Sequence, residues 1–396
     1  MASMASMDDP REQPPDAPIG DVFGDVPLFR ELQRVLLSGS GPVNWELARQ
    51  VGIATAAWNH EDASPTQEDR RGFEDVVRAA ELEVARFTGM EVPGVPNVRC
   101  DRRAAWVESN INSLRDLVEP VASKLARALG EVRDHPPGAE VPMLEALMDR
   151  MAPLLLGAQM GTVLGYLGQR VLGQFDVAVP RDTGTLAFVV PNIAAAEREW
   201  SLDPTEFRAW VAIHEAAHRF EFARPWVRDH FHTLVREFTE SSELDLAGLE
   251  ERLAGLDLSD PERLGDAFGN PGDLVGRVLT DEGRLLLARV QAFLAVAEGY
   301  ADHVLEGVGG RMLTTFGQIN EAMRRRGEGE AGETRLVEQM LGIETTADQY
   351  RLGRTFADTV ADRTEEAVLS RMWDAAENLP SMPELEEPTL WLARIA

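Results

Sequence analysis

The run His214-Glu215-Ala216-Ala217-His218 sets two imidazoles four positions apart, with a carboxylate next to the first. On a helix, at about 100° per residue, positions 214 and 218 lie one turn apart and roughly 40° around, so both rings can converge on one tetrahedral ion. Glu215 then lies beside that ion. There it can take a proton from a water whose pKa the ion lowers to about 7, and later hand it to a leaving amine. The chemistry this pattern suits is hydrolysis by metal-activated water, with zinc as the metal. Glutamate is about one residue in ten and histidine is scarce, so this composition produces the motif by chance in roughly one such chain in a hundred. A surface helix that merely happens to carry these residues is therefore the weaker reading.

Such a site needs a third protein ligand. An extension with glycine at 221 and histidine at 224 is excluded, because those positions hold Glu221 and Arg224. The leading candidate is Glu298, in Ala297-Glu298-Gly299-Tyr300-Ala301-Asp302. Glu298 and Asp302 are four apart and share a helix face, so Asp302 can orient a ligating histidine by accepting its second N–H. Both could instead form a solvated acidic face. Small and apolar neighbours (Leu294, Ala295, Ala297, Ala301) argue for partial burial. Asp229, His230 and His232 compete for the third position. For stabilising a tetrahedral oxyanion, His303, Tyr350 and His230 are candidates, whereas Tyr300 points away from the ligand face and is expected in the core.

The elements that must position these residues are mostly helical. Asp203, Pro204 and Glu206 announce the start of the histidine helix with cap, first-turn and capping-box residues, and Arg224-Pro225 should end it. The apolar stripe Trp210, Ile213, Ala217 and Phe220 lies next to the histidine face. Further helices are expected over Trp226 to Thr239, Glu243 to Ala254, Asp281 to Val308 and Ala347 to Ala376. The N-terminal part, from Val26 to Gly130, also reads as helical and carries nothing that suggests chemistry. Leu186 to Val190 is the clearest strand, with an edge on which an extended peptide could pair. Arg324 to Thr334 and Leu379 to Pro388 read as exposed, mobile segments.

Ala152 to Gln169 contains no charged side chain and approaches the ~20 residues that span a bilayer. Pro153, Gln159 and four glycines dilute it, and Gly157, Gly161 and Gly165 repeat at four-residue spacing. A buried central helix with a smooth glycine face is expected.

The chain has 396 residues and a formal charge of −28, from 67 acidic and 39 basic side chains. That surface repels phosphate backbones and anionic lipid, so neither nucleic acid nor a membrane is an expected partner. Cys100 stands alone, which rules out an intrachain disulfide and suits the cytoplasm. The acidic, proline-rich start lacks the basic and apolar regions of a secretory signal.

In pairing His-Glu-x-x-His with a later Glu-x-x-x-Asp, the chain resembles the thermolysin-like zincins, or gluzincins. It is similar, more closely, to uncharacterised zincin-like hydrolases of high-GC bacteria. That likeness rests also on Gly41-Pro42-Val43-Asn44-Trp45, Leu155 to Gln159, Val171-Leu172-Gly173-Gln174-Phe175-Asp176, Glu298 to His303, and Gln349 to Gly353. The resemblance implies a zinc ion held by His214, His218 and Glu298, with Glu215 as general base, acting on a peptide or a small amide. It implies a mainly α (α+β) fold, with a zincin-like helical core, a small sheet and a helical N-terminal region. On this reading residues 1–22 are a flexible tail, 23–140 the N-terminal region, 141–378 the catalytic domain with a helical insertion at about 226–281, and 379–396 a C-terminal tail. That insertion accounts for the long interval between His218 and Glu298. Ala297 stands where the thermolysin-like pattern has asparagine.

Overall fold

The structure is a computed structural model that describes residues 41–58, 62–133, 142–176, 179–181, 183–241, 280–329 and 347–395. The expected N-terminal tail, the Glu243 to Ala254 helix and most of the 226–281 insertion lie outside the described residues.

The chain begins with α1 (Trp45–Ala56), capped by Asn44, and α2 (Gln67–Thr88), closed at its start by a reciprocal Thr66–Asp69 capping box and at its end by left-handed Gly89. Strand β1 (Asn97–Asp101) leads into α3 (Arg103–Arg133) and α4 (Pro142–Gly168). After α4 come β2 (Thr185–Val189), α5 (Val190–Glu199), α6 (Pro204–Phe222), which carries the histidine motif, and α7 (Val227–Ser241). The long α8 (Asp281–Met312) carries Glu298, and α9 (Phe316–Gly329), α10 (Ala347–Arg363), α11 (Glu366–Ser370), α12 (Met382–Glu386) and α13 (Pro388–Ile395) follow among the described residues. The architecture is mainly α, with, among the described residues, one two-stranded parallel sheet, β1 beside β2, in the register Asn97 to Thr185 through Asp101 to Val189.

The glycine stripe of α4 packs on α1. A Cβ at Gly161 would stand 2.5 Å from Ala48 O, so the two backbones touch where side chains would ordinarily intervene. The opposite face differs from the expected fully buried helix, because Met151, Leu155 and Tyr166 are exposed. Met151–Gly168 is long and apolar enough to cross a membrane by length and composition alone, and 44% of it is buried in the fold.

Three further expectations change. The helix expected over 347–376 stops at Arg363, because Glu365 takes an extended backbone, and α11 and two 3-10 turns follow. The segment from 379 is no exposed tail: Leu385 and Trp391 are buried, Trp391 packs edge-on to Phe356, and Arg394 pairs with Glu384 at 2.7 Å. Residues Arg324 to Gly329, read as a mobile loop, continue α9.

Candidate metal centre

Helix α6 starts as its sequence dictates, with the Asp203 carboxylate accepting from Thr205 N (2.9 Å) and Glu206 N (3.0 Å). Glu206 does not return to the cap as a capping box would require. It accepts instead from the backbone N–H groups of Thr314 (3.2 Å) and Thr315 (2.6 Å) and from both hydroxyls, which hold its carboxyl down at about 2. Helix α6 is thereby tied to the turn between α8 and α9.

Helices α6 and α8 pack side by side, bringing Glu298 to the histidines across a sequence gap of 80 residues. One donor atom from each of His214, His218 and Glu298 lies within 4.8 Å of the others, and Glu298 Oε2 is 3.9 Å from His218 Nε2. Each imidazole is held by what surrounds it. The Trp210 ring, one turn before His214, stacks parallel to it at 5.9 Å. Phe222 stacks on His218 at 5.4 Å. His218 is fully buried, and its Nδ1 lies 3.2 Å from Glu221 Oε2. With the proton on Nδ1, the ring donates to Glu221 and presents the Nε2 lone pair, an atom without a hydrogen-bond partner among the described residues. Burial, reinforced by His214, holds the His218 pKa well below its usual range, so the ring is neutral, as a ligand must be.

Glu215 is also fully buried. Its Oε2 accepts from Phe175 N (2.9 Å), and the backbone of Gln174 contributes a second bond. Burial pushes its carboxyl well up, and Asp176 adds to this. Glycine at 173 leaves room for it: a Cβ there would stand 2.8 Å from Glu215 Cγ and closer still to the carboxyl group, so a side chain at 173 would displace the carboxylate.

The centre opens into a cavity of about 740 Å³ between Arg170 to Leu172, α6, α8 and α9. Asp302 lines it together with His214; burial pushes its carboxyl up, His214 offsets this through charge, and among the described residues no hydrogen bond joins them. The carboxylate bonded to a motif histidine is Glu221, not Asp302. Asp229, His230 and His232 sit on α7 and belong to neither metal-competent cluster among the described residues. The second such cluster is Asp176, His214 and Glu215. Of the expected oxyanion donors, His303, Tyr350 and His230, none lines the cavity. Tyr300 is buried, as expected, its hydroxyl 3.0 Å from Ser370 Oγ.

The strand edge expected to receive a peptide is covered. β2 has β1 on one side, and on the other Gly173 bridges Phe188 while Val189 N donates to Leu172 O at 2.8 Å. Leu186 to Val189 are buried.

The orphaned Nε2, the neutral buried imidazole and the carboxylate set beside them fit a divalent metal. The profile of the zincin-like metallopeptidases matches residues 43–392, nearly the whole described chain. The chain belongs to that family. A solved structure from Chloroflexus aurantiacus, described as "a putative hydrolase with a novel fold", is similar to this zincin-like chain with a TM-score of 0.66 and 28% identity. The match covers 89% of this chain and 98% of that one. No curated protein matches. The zincin-like family implies a bound metal and hydrolytic chemistry, and the clustered donors agree with both.

Proposed function

We propose that the protein is a zinc-dependent metallopeptidase with His214, His218 and Glu298 as ligands and Glu215 as general base. The observation that carries this reading is the buried Nε2 of His218, without a hydrogen-bond partner among the described residues and within 4.8 Å of two further donors, next to a carboxylate already held by a backbone N–H. Zinc, when bound, supplies a Lewis acid that acidifies water and polarises the scissile carbonyl. Glu215 keeps Oε2 on Phe175 N and takes the proton of the attacking water on Oε1, an atom without another partner among the described residues. It then delivers that proton to the departing nitrogen. Burial suits it to this task, because a raised pKa makes the carboxylate a better base. Trp210 and Glu221 orient the rings.

A second reading is a zinc hydrolase of small amides, such as those of cofactor metabolism. The covered β2 edge favours it, since an extended chain cannot pair there as a third strand. The net charge and the lone Cys100 support a cytoplasmic setting and a substrate other than nucleic acid or a lipid surface.

The test begins with zinc per chain in the purified protein, beside His214→Ala and Glu298→Ala prepared identically. About one zinc in the parent and its loss in both variants is expected. Loss in His214→Ala alone moves the centre to Asp176, and no zinc after resupply ends the proposal. Glu215→Gln should keep the metal and lose turnover; a Glu215→Gln protein with full cellular function would point to a non-catalytic scaffold. A panel of unfolded proteins and small amides then separates the two enzyme readings: cleavage confined to the small molecules overturns the peptidase.

A further inference from the structure

A buried guanidinium without a carboxylate against it is costly, and structures rarely keep one without reason. Arg181 is 5% exposed. Its Nη1 donates to Asn110 Oδ1 and to Gln174 O (3.3 Å), while Nε and Nη2 have no hydrogen-bond partner among the described residues. Burial lowers the guanidinium to about 10, and among the described residues the anionic group that offsets this is Glu215.

The connection between them is a single peptide group. The carbonyl of Gln174 accepts from Arg181, and the N–H of the same group, on Phe175, donates to Glu215 Oε2 at 2.9 Å. We propose that Arg181 is a positioning residue for Glu215, acting through the Gln174–Phe175 peptide that it orients and polarises. Hydrogen bonds in series strengthen one another where the dielectric is low. The cation therefore firms the bond that fixes the carboxylate, without touching the carboxylate or the cavity.

Helix α3 completes the device. Trp106 places its ring 5.9 Å from the Arg181 guanidinium and donates Nε1–H to Gly173 O at 3.1 Å, and Asn110, one turn later, receives Nη1. The N-terminal half of the chain thus reaches the centre from behind, through a residue remote from the histidine motif.

The inference rests on the proposed function only in taking Glu215 as the base, and its first test needs neither zinc nor turnover. In full-length protein labelled with 15N-phenylalanine, the Phe175 amide, assigned by Phe175→Tyr, is followed in Arg181→Met, Arg181→Lys, Glu215→Gln and the Arg181→Met/Glu215→Gln double variant. Arg181→Met should move the resonance strongly in the parent and much less in the Glu215→Gln background, and Arg181→Lys should restore most of it. An equal displacement in both backgrounds overturns the proposal, as does no displacement. Should Arg181→Met not fold, Asn110→Ala, which removes one of the two acceptors steering the guanidinium, replaces it with the same two outcomes. On a substrate found by the panel, Arg181→Met at unchanged zinc content should lower kcat about tenfold to a hundredfold with KM unchanged. Parallel losses of kcat, KM and zinc, with lysine no better than methionine, would reduce Arg181 to a structural part. A coupled amide shift without any turnover would sink the hydrolase reading and leave the positioning role standing.

Discussion

Glu221 owes its importance to one bond. It is fully buried, three residues after His218 on the same face of α6, and burial, reinforced by Glu298, pushes its carboxyl well up. A group held there at such cost fixes the tautomer of a histidine and strengthens it as a ligand. Replacing Glu221 with leucine should weaken zinc binding about 10- to 100-fold, and Glu221→Gln less, as measured by competition with a chromophoric chelator. Equal affinity in parent and Glu221→Leu would show that the stacked Phe222 alone orients the ring. The sequence displays this residue at a legible spacing, yet there it served only to exclude a glycine-histidine extension. His214, Glu215 and His218 are legible because helical spacing alone dictates their convergence. Arg181 and Gly173 are not, since their effect depends on a turn whose path no periodicity encodes.

Helices α8 and α10 cross through glycine. A Cβ on Gly299 would stand 2.7 Å from Gly353 Cα, and one on Gly353 would collide with Ala295 O. Because Gly299 adjoins Glu298, the depth at which α10 seats against α8 sets where the third donor lies. Gly353→Ala should therefore cost about 1 to 3 kcal/mol of stability and lower zinc affinity with it. Thermal melting with a zinc titration checks this; a variant that loses stability alone would uncouple the crossing from the centre. Element by element, α6 was legible because Asp203 marks its start, and α8 because its apolar periodicity runs from Asp281. The glycine spacing of α4 announced a close approach but not that α1 makes it. β1 escaped notice because Asn97-Val98-Arg99-Cys100-Asp101 is short and polar, and acquires strand form only from its neighbour. The Pro/Glu-rich end suggested exposure, which the burial of Leu385 and Trp391 overrides.

At the scale of the molecule, one charged histidine joins three helices. His303 on α8 lies 2.7 Å from Asp358 Oδ1 on α10 and 3.0 Å from Glu366 Oε2 on α11, and the break after Arg363 lets both carboxylates close on it. Arg354 braces Asp358 at 2.8 Å. Burial disfavours the imidazolium, but the two hydrogen-bonded carboxylates outweigh it and raise its pKa to about 9. An unfolded histidine titrates near 6.5, so this stabilisation is complete below about pH 6.5 and is lost as pH rises through about 9, with a ceiling of about 3 kcal/mol. Melting temperature should fall between pH 7 and 10, and His303→Gln should flatten that fall. An unchanged slope in the variant would place the alkaline loss elsewhere.

The pairing of β1 with β2 has a consequence in time. Strands roughly ninety residues apart in sequence must find each other in parallel register, and α3, which follows the first of them, brings the Trp106 and Asn110 that back the turn holding Glu215; such distant closures are slow. The histidines lie within one helix and can form early, whereas the base acquires its place only when the slowest contact has formed. A partly folded chain could thus capture an ion before it could hydrolyse anything, and in a refolding experiment metal uptake should run ahead of the appearance of activity.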